Sequence, residues 1–165
     1  MLLAICGLKG SGKDTVGDYL VNQYGFIRFH FADALKDMLS IIFGWSRELL
    51  EGSTKESREF REKKDGWWSE KLGRDITPRN MLQYMGTFLF RNNFHTDIWK
   101  LIIEQKINDN KDKNIVITDC RFKNEIEMIR KNGGKIMFVH RNLPNWFIPY
   151  KNYKQNVPAH IHISE

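Results

Sequence analysis

Cysteine is scarce in this sequence: the 165 residues hold two, Cys6 and Cys120. Two cysteines cannot staple a small secreted scaffold or build a multi-cysteine zinc site. Both fall in short apolar runs, so the expectation is a pair of buried free thiols in a reducing compartment. Long hydrophobic stretches are missing too. The opening apolar run ends at Gly7, with no basic start and no cleavage pattern. It is too short for a signal peptide or a bilayer span, and no later segment reaches spanning length. The expectation is a soluble, cytoplasmic protein with no membrane partner. No internal repeat and no linker rich in Gly, Ser or Pro divides the chain, so a single domain over 1–165 is expected.

What is present suits a globular enzyme-sized domain. The hydrophobic fraction is 41% and the aromatic fraction 13%, enough to exclude global disorder. A chain of this length buries roughly 70% of its unfolded surface. The formal net charge is +6 and the pI is near 9.3. A basic surface of this kind fits polyanions, whether nucleotides or nucleic acid, and composition does not choose between them.

Hydrophobic patterning sets out an α/β chain. Residues 2–6 form an apolar run bounded by glycine, as in a strand buried on both faces. Val16 and Leu20 mark a helix over 14–24 that stops at Gly25, and 26–31 alternates as a strand. Leu35, Leu39 and Ile42 place one face of a helix over 32–43. The stretch 45–76 is dense in charge and reads as a solvated helix, an insertion or a segment that closes over substrate. Trp67 and Trp68 follow the charge run and should anchor something. Thr77 and Pro78 open a helix with Met81, Leu82, Met85, Leu89 and Phe90 on its apolar face, and a further helix is expected over 95–110. Residues 114–118 form a second buried strand, Phe122, Ile126 and Ile129 space a helix, and 135–140 give a third clear strand. The tail after Arg141 has no period.

Between the first strand and its helix stands Gly7-Leu8-Lys9-Gly10-Ser11-Gly12-Lys13-Asp14. This is the phosphate-loop pattern G-x-x-x-x-G-K-[ST] except at its last position. Glycines let the backbone turn its N–H groups inward, the helix N-terminus adds positive potential, and Lys13 reaches phosphate oxygens. Asp14 stands where most such loops carry a metal-binding hydroxyl. A carboxylate is a hard oxygen ligand suited to Mg²⁺, with Thr15 or Ser11 nearby; the competing reading is a simple helix cap. A second constellation, ITDCRFKNE, puts Asp119 at the carboxyl end of a buried strand, where α/β sheets place ligands. Arg121 and Glu125 lie four apart and read either as a surface ion pair on one helix face or as a phosphate contact and a hydrogen-bond acceptor for sugar or base. A third, TPRNMLQYMGTFLFRNNF, sets Arg79 and Gln83 on one face, a guanidinium fork and an amide suited to phosphate and base edge. Trp99, on the next helix, reads either as core or as a stacking platform.

Together these segments resemble the deoxynucleoside monophosphate kinase family of tailed bacteriophages. The resemblance rests on S-G-K-D-T, F-A-D-A-L-K, E-G followed by R-E near Arg58, and R-x-x-x-Q-x-x-G-T with N-N-F and a later Trp. It rests further on T-D-x-R-F-x-N-E and on the terminal H-I-S-E, all in the family's order. It implies a three-layer P-loop kinase fold, a parallel sheet flanked by helices, with a helical insertion at about 45–76 for the monophosphate and a lid-like segment at about 141–165. It implies transfer of the ATP γ-phosphoryl group to a deoxynucleoside monophosphate with Mg²⁺. On that resemblance Gly10, Ser11, Gly12, Lys13, Asp14 and Thr15 hold ATP, with Asp14 and Thr15 toward the metal. Lys9, Lys36, Arg58, Arg79, Gln83, Trp99, Asp119, Arg121 and Glu125 contact the acceptor, and Lys13, Arg79 and Arg121 offset charge during transfer. Arg141 would lie against adenine. Family members continue past the H-I-S-E segment, so ending at Glu165 would remove a sheet edge and part of the ATP base site.

The rival readings are another small P-loop kinase with a different acceptor, a catalytically inactive nucleotide-binding protein, and a nucleic-acid binder. The last has only the basic charge behind it, since no aromatic-and-basic recognition motif is present. The sequence leaves open a homodimer, the preferred base and the choice of deoxy over ribo sugar.

Overall fold

The computed structural model describes residues 1–8 and 10–140. They divide into two compact units, one from 1–31 with the residues from 100 onward, the other 32–99.

The first unit is built on a four-stranded sheet in the order β2-β3-β1-β4. Its strands are β1 (Leu2–Cys6), β2 (Ile27–Phe29), β3 (Ile115–Ile117) and β4 (Lys135–Phe138). Every pairing is parallel; β1 meets β3 with Leu2 opposite Ile115 and Ala4 opposite Ile117. Parallel strands need crossovers, which α1 (Lys13–Tyr24), α6 (Ile98–Asn108) and α7 (Lys123–Lys131) help to provide. Because β-strand side chains alternate, β1 feeds two cores. Leu2, Ala4 and Cys6 pack with Ile103, Ile107, Met128 and Ile129 of α6 and α7. Leu3 and Ile5 pack on the other face with Val16, Leu20 and Val21 of α1. The result is the three-layer α/β arrangement expected of a P-loop kinase fold.

Helix α1 lies close on the sheet because Gly17 has no side chain. A Cβ there would sit 2.5 Å from Thr118 Cγ2 and 2.7 Å from Arg28 Nη2. Gly25 ends the helix in a left-handed conformation (φ 65), its N–H bonded to the Leu20 and Val21 carbonyls.

The second unit is helical: α2 (Asp33–Phe43), α3 (Lys55–Glu62), α4 (Gly66–Leu72), α5 (Pro78–Gln83) and a π-helix, Tyr84–Asn92. Its charged stretch is therefore two short capped helices. Thr54 caps α3 on the Ser57 N–H, and Asp65 caps α4 on the Trp68 N–H. Of the adjacent tryptophans only Trp68 anchors, through its indole N–H to the Phe43 carbonyl at 3.1 Å; Trp67 is 60% exposed. The apolar face expected of one long α-helix beyond Gln83 gives way to π geometry. Its wider turn leaves Phe88 and Leu89 exposed and seats Gly86 where a Cβ would lie 2.7 Å from Leu35 Cδ2. Helix α6 starts at Ile98 rather than at residue 95, because His95 is used in a turn, its ring nitrogen Nδ1 accepting the Asp97 N–H at 3.1 Å. Among the described residues no helix is long and apolar enough to cross a membrane.

Candidate active site

The turn after β1 is set by crowding at its start and openness at its middle. A Cβ on Gly7 would lie 2.2 Å from the Val139 carbonyl oxygen, so the loop leaves the sheet hard against the strand end beside it. Gly10 and Gly12 have φ of 80 and 98, backbone that favours glycine, and a Cβ on either would meet nothing within 4 Å. Among the described residues nothing fills the space beyond these two glycines. The Ser11 N–H bonds the Leu8 carbonyl at 3.2 Å, and Gly12 passes directly into α1 through the Val16 N–H at 3.0 Å. Ser11 is 7% exposed, and among the described residues its hydroxyl has no hydrogen-bond partner. A buried hydroxyl without a partner costs roughly 1–3 kcal/mol, which a ligand oxygen would recover.

Lys13 opens α1 and folds back over the loop, its Nζ donating to the Leu8 carbonyl at 2.8 Å. Burial pulls its pKa below the usual lysine value; the carboxylate of Asp14 opposes this and the charge of Arg121 adds to it. A crowded cation of this kind is stabilised when an anion arrives. Asp14 and Thr15 follow in the first turn of α1, both exposed, with oxygens available. Asp14 makes no side-chain cap on this helix, whose cap residue is Gly12.

The turn after β3 carries the second group. Asp119 accepts the Phe31 N–H at 2.9 Å, tying this turn to the end of the β2 segment. Arg121 is exposed and lies ahead of α7 rather than on it, because Phe122 is the extended cap residue (φ −101, ψ 150). The i, i+4 helix-face pairing of Arg121 with Glu125 therefore does not form. Glu125, 2% exposed, instead accepts the backbone N–H groups of Arg121 and Phe122 at 2.8 and 3.0 Å. Its buried carboxylate holds the turn that presents the guanidinium.

In the second unit Lys36, Arg58, Arg79 and Trp99 are already engaged. Lys36 is buried and ion-paired to Glu51 at 2.5 Å, while Arg47 braces Glu51 and reaches Asp37 at 2.5 Å and Asp33 at 3.2 Å. Arg58 is exposed and donates to the Ser53 carbonyl at 2.9 Å. Arg79 pairs through Nε with Glu62 at 2.8 Å, and Gln83, one turn along α5, is exposed. Of the two readings of Trp99, the structure places its indole in the core of this unit. Its N–H donates to the Gly86 carbonyl at 2.9 Å and its ring packs on Phe90. Lys9, Arg141 and the segment 141–165 lie outside the described residues.

Sequence reasoning did not find the Asp119 clamp on Phe31, the Glu51–Arg47 brace under Lys36, or the Thr118 hydroxyl after β3, which has no partner among the described residues. Partners 15 or 88 residues apart leave no periodic trace. Among the described residues no group of three or more His, Cys, Asp or Glu is gathered for a metal ion.

Comparison with known proteins bears on the same segments. A model of the deoxynucleotide monophosphate kinase family matches residues 1–65 and 51–146. A protein of Acanthamoeba polyphaga mimivirus bearing the deoxynucleotide monophosphate kinase designation is 35% identical over 152 residues. The match takes in 86% of this chain and 74% of that protein. The deoxynucleoside-5'-monophosphate kinase of Escherichia phage T5 is 28% identical over 184 residues, with 81% and 73% covered.

Proposed function

The chain belongs to the deoxynucleotide monophosphate kinase family, and from that premise we propose how its residues divide the work of this ATP-dependent phosphotransferase. The donor's phosphates lie on the loop 7–15. The backbone N–H groups there and the start of α1 face the β and γ oxygens, the Ser11 hydroxyl takes a phosphate oxygen, and Lys13 swings from the Leu8 carbonyl to the transferring group. Mg²⁺ would be held by Asp14, directly or through water, with Thr15 beside it; when bound it neutralises charge on the donor. Without it the Asp14 carboxylate would repel the phosphates that Lys13 attracts.

The acceptor is a deoxynucleoside monophosphate. Lys9, Arg58 and Arg79 take its phosphate, with Lys36 joining them only when it leaves Glu51; Gln83 offers donor and acceptor to the base edge, and Trp99 shapes the base site from the core. Asp119 and Glu125 set the turn from which Arg121 reaches phosphate. Phosphoryl transfer asks for alignment and charge compensation more than for a base, since the attacking phosphate oxygen is already ionised. Lys13, Arg79 and Arg121 supply that compensation. The stretch 45–76 serves the acceptor.

The observation that carries this reading is the loop itself: among the described residues, open space before Gly10 and Gly12 and a buried Ser11 hydroxyl without a partner, beside a desolvated Lys13. A coupled ADP-release assay with ATP, Mg²⁺ and each deoxynucleoside monophosphate in turn tests it. Turnover with at least one deoxynucleotide is expected; turnover with none, or only with a ribonucleotide, counts against it.

A further inference from the structure

The donor site depends on where α1 begins, and that beginning has no side-chain cap. The cap residue is Gly12, which offers no oxygen to the first N–H groups. Lys13 and Asp14 are the first two residues of the helix, so their aim follows its first turn.

A side chain from the sheet reaches that turn. Ile27 and Phe29 of β2 pack against the core shared with α6 and α7, so Arg28 between them points to the opposite face, toward α1. In register Arg28 stands opposite Val116, whose core includes Val16 and Leu20 of α1. The guanidinium runs beneath the helix where the helix carries no side chain: a Cβ on Gly17 would lie 2.7 Å from Arg28 Nη2. There the fork divides. Nη1 pairs with the Asp18 carboxylate at 2.8 Å, and Nη2 donates to the Asp14 carbonyl at 3.5 Å. Asp14 and Asp18 are one turn apart on one face of α1. The Arg28 side chain is 20% exposed and that of Asp18 63%, so the clamp is rooted between sheet and helix and ends at the surface.

We propose that Arg28 is a positioning residue for phosphoryl transfer: it clamps the first turn of α1 to the sheet and so aims Lys13 and Asp14 at the donor. The proposal rests on the assignment of the donor to the loop 7–15, and it gives β2 a part in that site without contact to nucleotide. The geometry asks for arginine. Its rigid fork serves a carboxylate and a main-chain carbonyl at once, whereas a lysine ammonium keeps the charge without the fork. Small displacements matter at such a site, since a shift of about 1 Å in a group that aligns reactants can cost up to ~10²-fold in rate.

The test uses Arg28→Met, which keeps an apolar stem beside Gly17 and removes both donors. Asp18→Asn removes only the exposed partner's charge and serves should Arg28→Met fail to fold. Hydrogen exchange of α1 is followed in the nucleotide-free protein, ATP binding is measured by calorimetry without acceptor, and KM is determined for each substrate. Exchange over 13–18 should quicken by at least ~5-fold while 19–24 stays as in the wild type. ATP should bind at least ~5-fold more weakly, with KM for the acceptor changed by less than about 2-fold. Asp18→Asn should move the same readouts in the same direction and by less, and Arg28→Lys should recover only part of the ATP affinity. Unchanged exchange over 13–18 would overturn the clamp. Uniform loosening of α1 with both KM values rising together would reduce Arg28 to an ordinary structural residue and overturn the aiming role. ATP bound equally by wild type and Arg28→Met would overturn the proposal and leave the kinase assignment standing. A wild type that binds no ATP would instead sink the donor assignment and the aiming role with it, while the exchange pattern still decides the clamp.

Discussion

Single residues carry the site, and Glu125 shows how. A fully buried carboxylate that accepts two backbone N–H groups is a brace for the turn beneath Arg121. Charge-assisted hydrogen bonds of this type contribute about 1.5–3 kcal/mol. Glu125→Ala should lower the denaturant midpoint by a ΔΔG of about 2 kcal/mol or more and depress turnover, because Arg121 loses its position. An unchanged midpoint would contradict the brace. Asp14 makes a different prediction. Asp14→Asn should raise the Mg²⁺ concentration needed for half-maximal rate while leaving thermal stability nearly unchanged, since the side chain caps nothing; an identical Mg²⁺ titration would remove it from the metal. The glycine turn between β1 and α1 was legible in the sequence because glycine spacing reflects backbone geometry directly. The engagement of Lys36 by Glu51 was not, because an ion pair between α2 and the segment after it leaves no spacing rule to read.

Elements were legible where burial imposes a period, and less so where it does not. The runs 2–6 and 114–118 announced β1 and β3 because strands buried on both faces are continuously apolar. The α3 and α4 helices were ambiguous because charge dominates them and their caps do the local work. The π-helix was unreadable: its apolar residues fit an α period, and what selects the wider turn is packing, Gly86 against Leu35 with its carbonyl bound by Trp99. Gly86→Ala should therefore destabilise the protein by about 1–3 kcal/mol through overpacking, read as a lower thermal midpoint. A neutral substitution would mean that this contact does not select the geometry. Thr77→Ala removes the cap on the Asn80 N–H and should cost about 1 kcal/mol in the same measurement.

For the molecule as a whole, the balance of charge sets its response to pH. Burial pushes the Glu51 carboxyl up, but hydrogen bonds from Lys36 and Arg47 outweigh it and hold the group below its ordinary value of 4.5. A carboxylate depressed in the folded state contributes stability that is present above 4.5 and is lost as pH falls through the folded value. Acid unfolding should therefore steepen below about 4.5, and Glu51→Gln should flatten that limb at some cost in stability at neutral pH. Full acid sensitivity in the variant would contradict the assignment. A formal charge of +6 suits a protein that holds two polyanionic nucleotides, and the fold beneath it is that of the P-loop kinases. The account stands on the loop around Lys13 as the seat of the donor. The most direct test is transfer of labelled γ-phosphoryl from ATP to a deoxynucleoside monophosphate, with the labelled diphosphate product counted for wild type and for Lys13→Ala. We predict labelled deoxynucleoside diphosphate from the wild type and a loss of about 10²-fold or more in a folded Lys13→Ala protein. Transfer at the wild-type rate without that lysine would contradict the account.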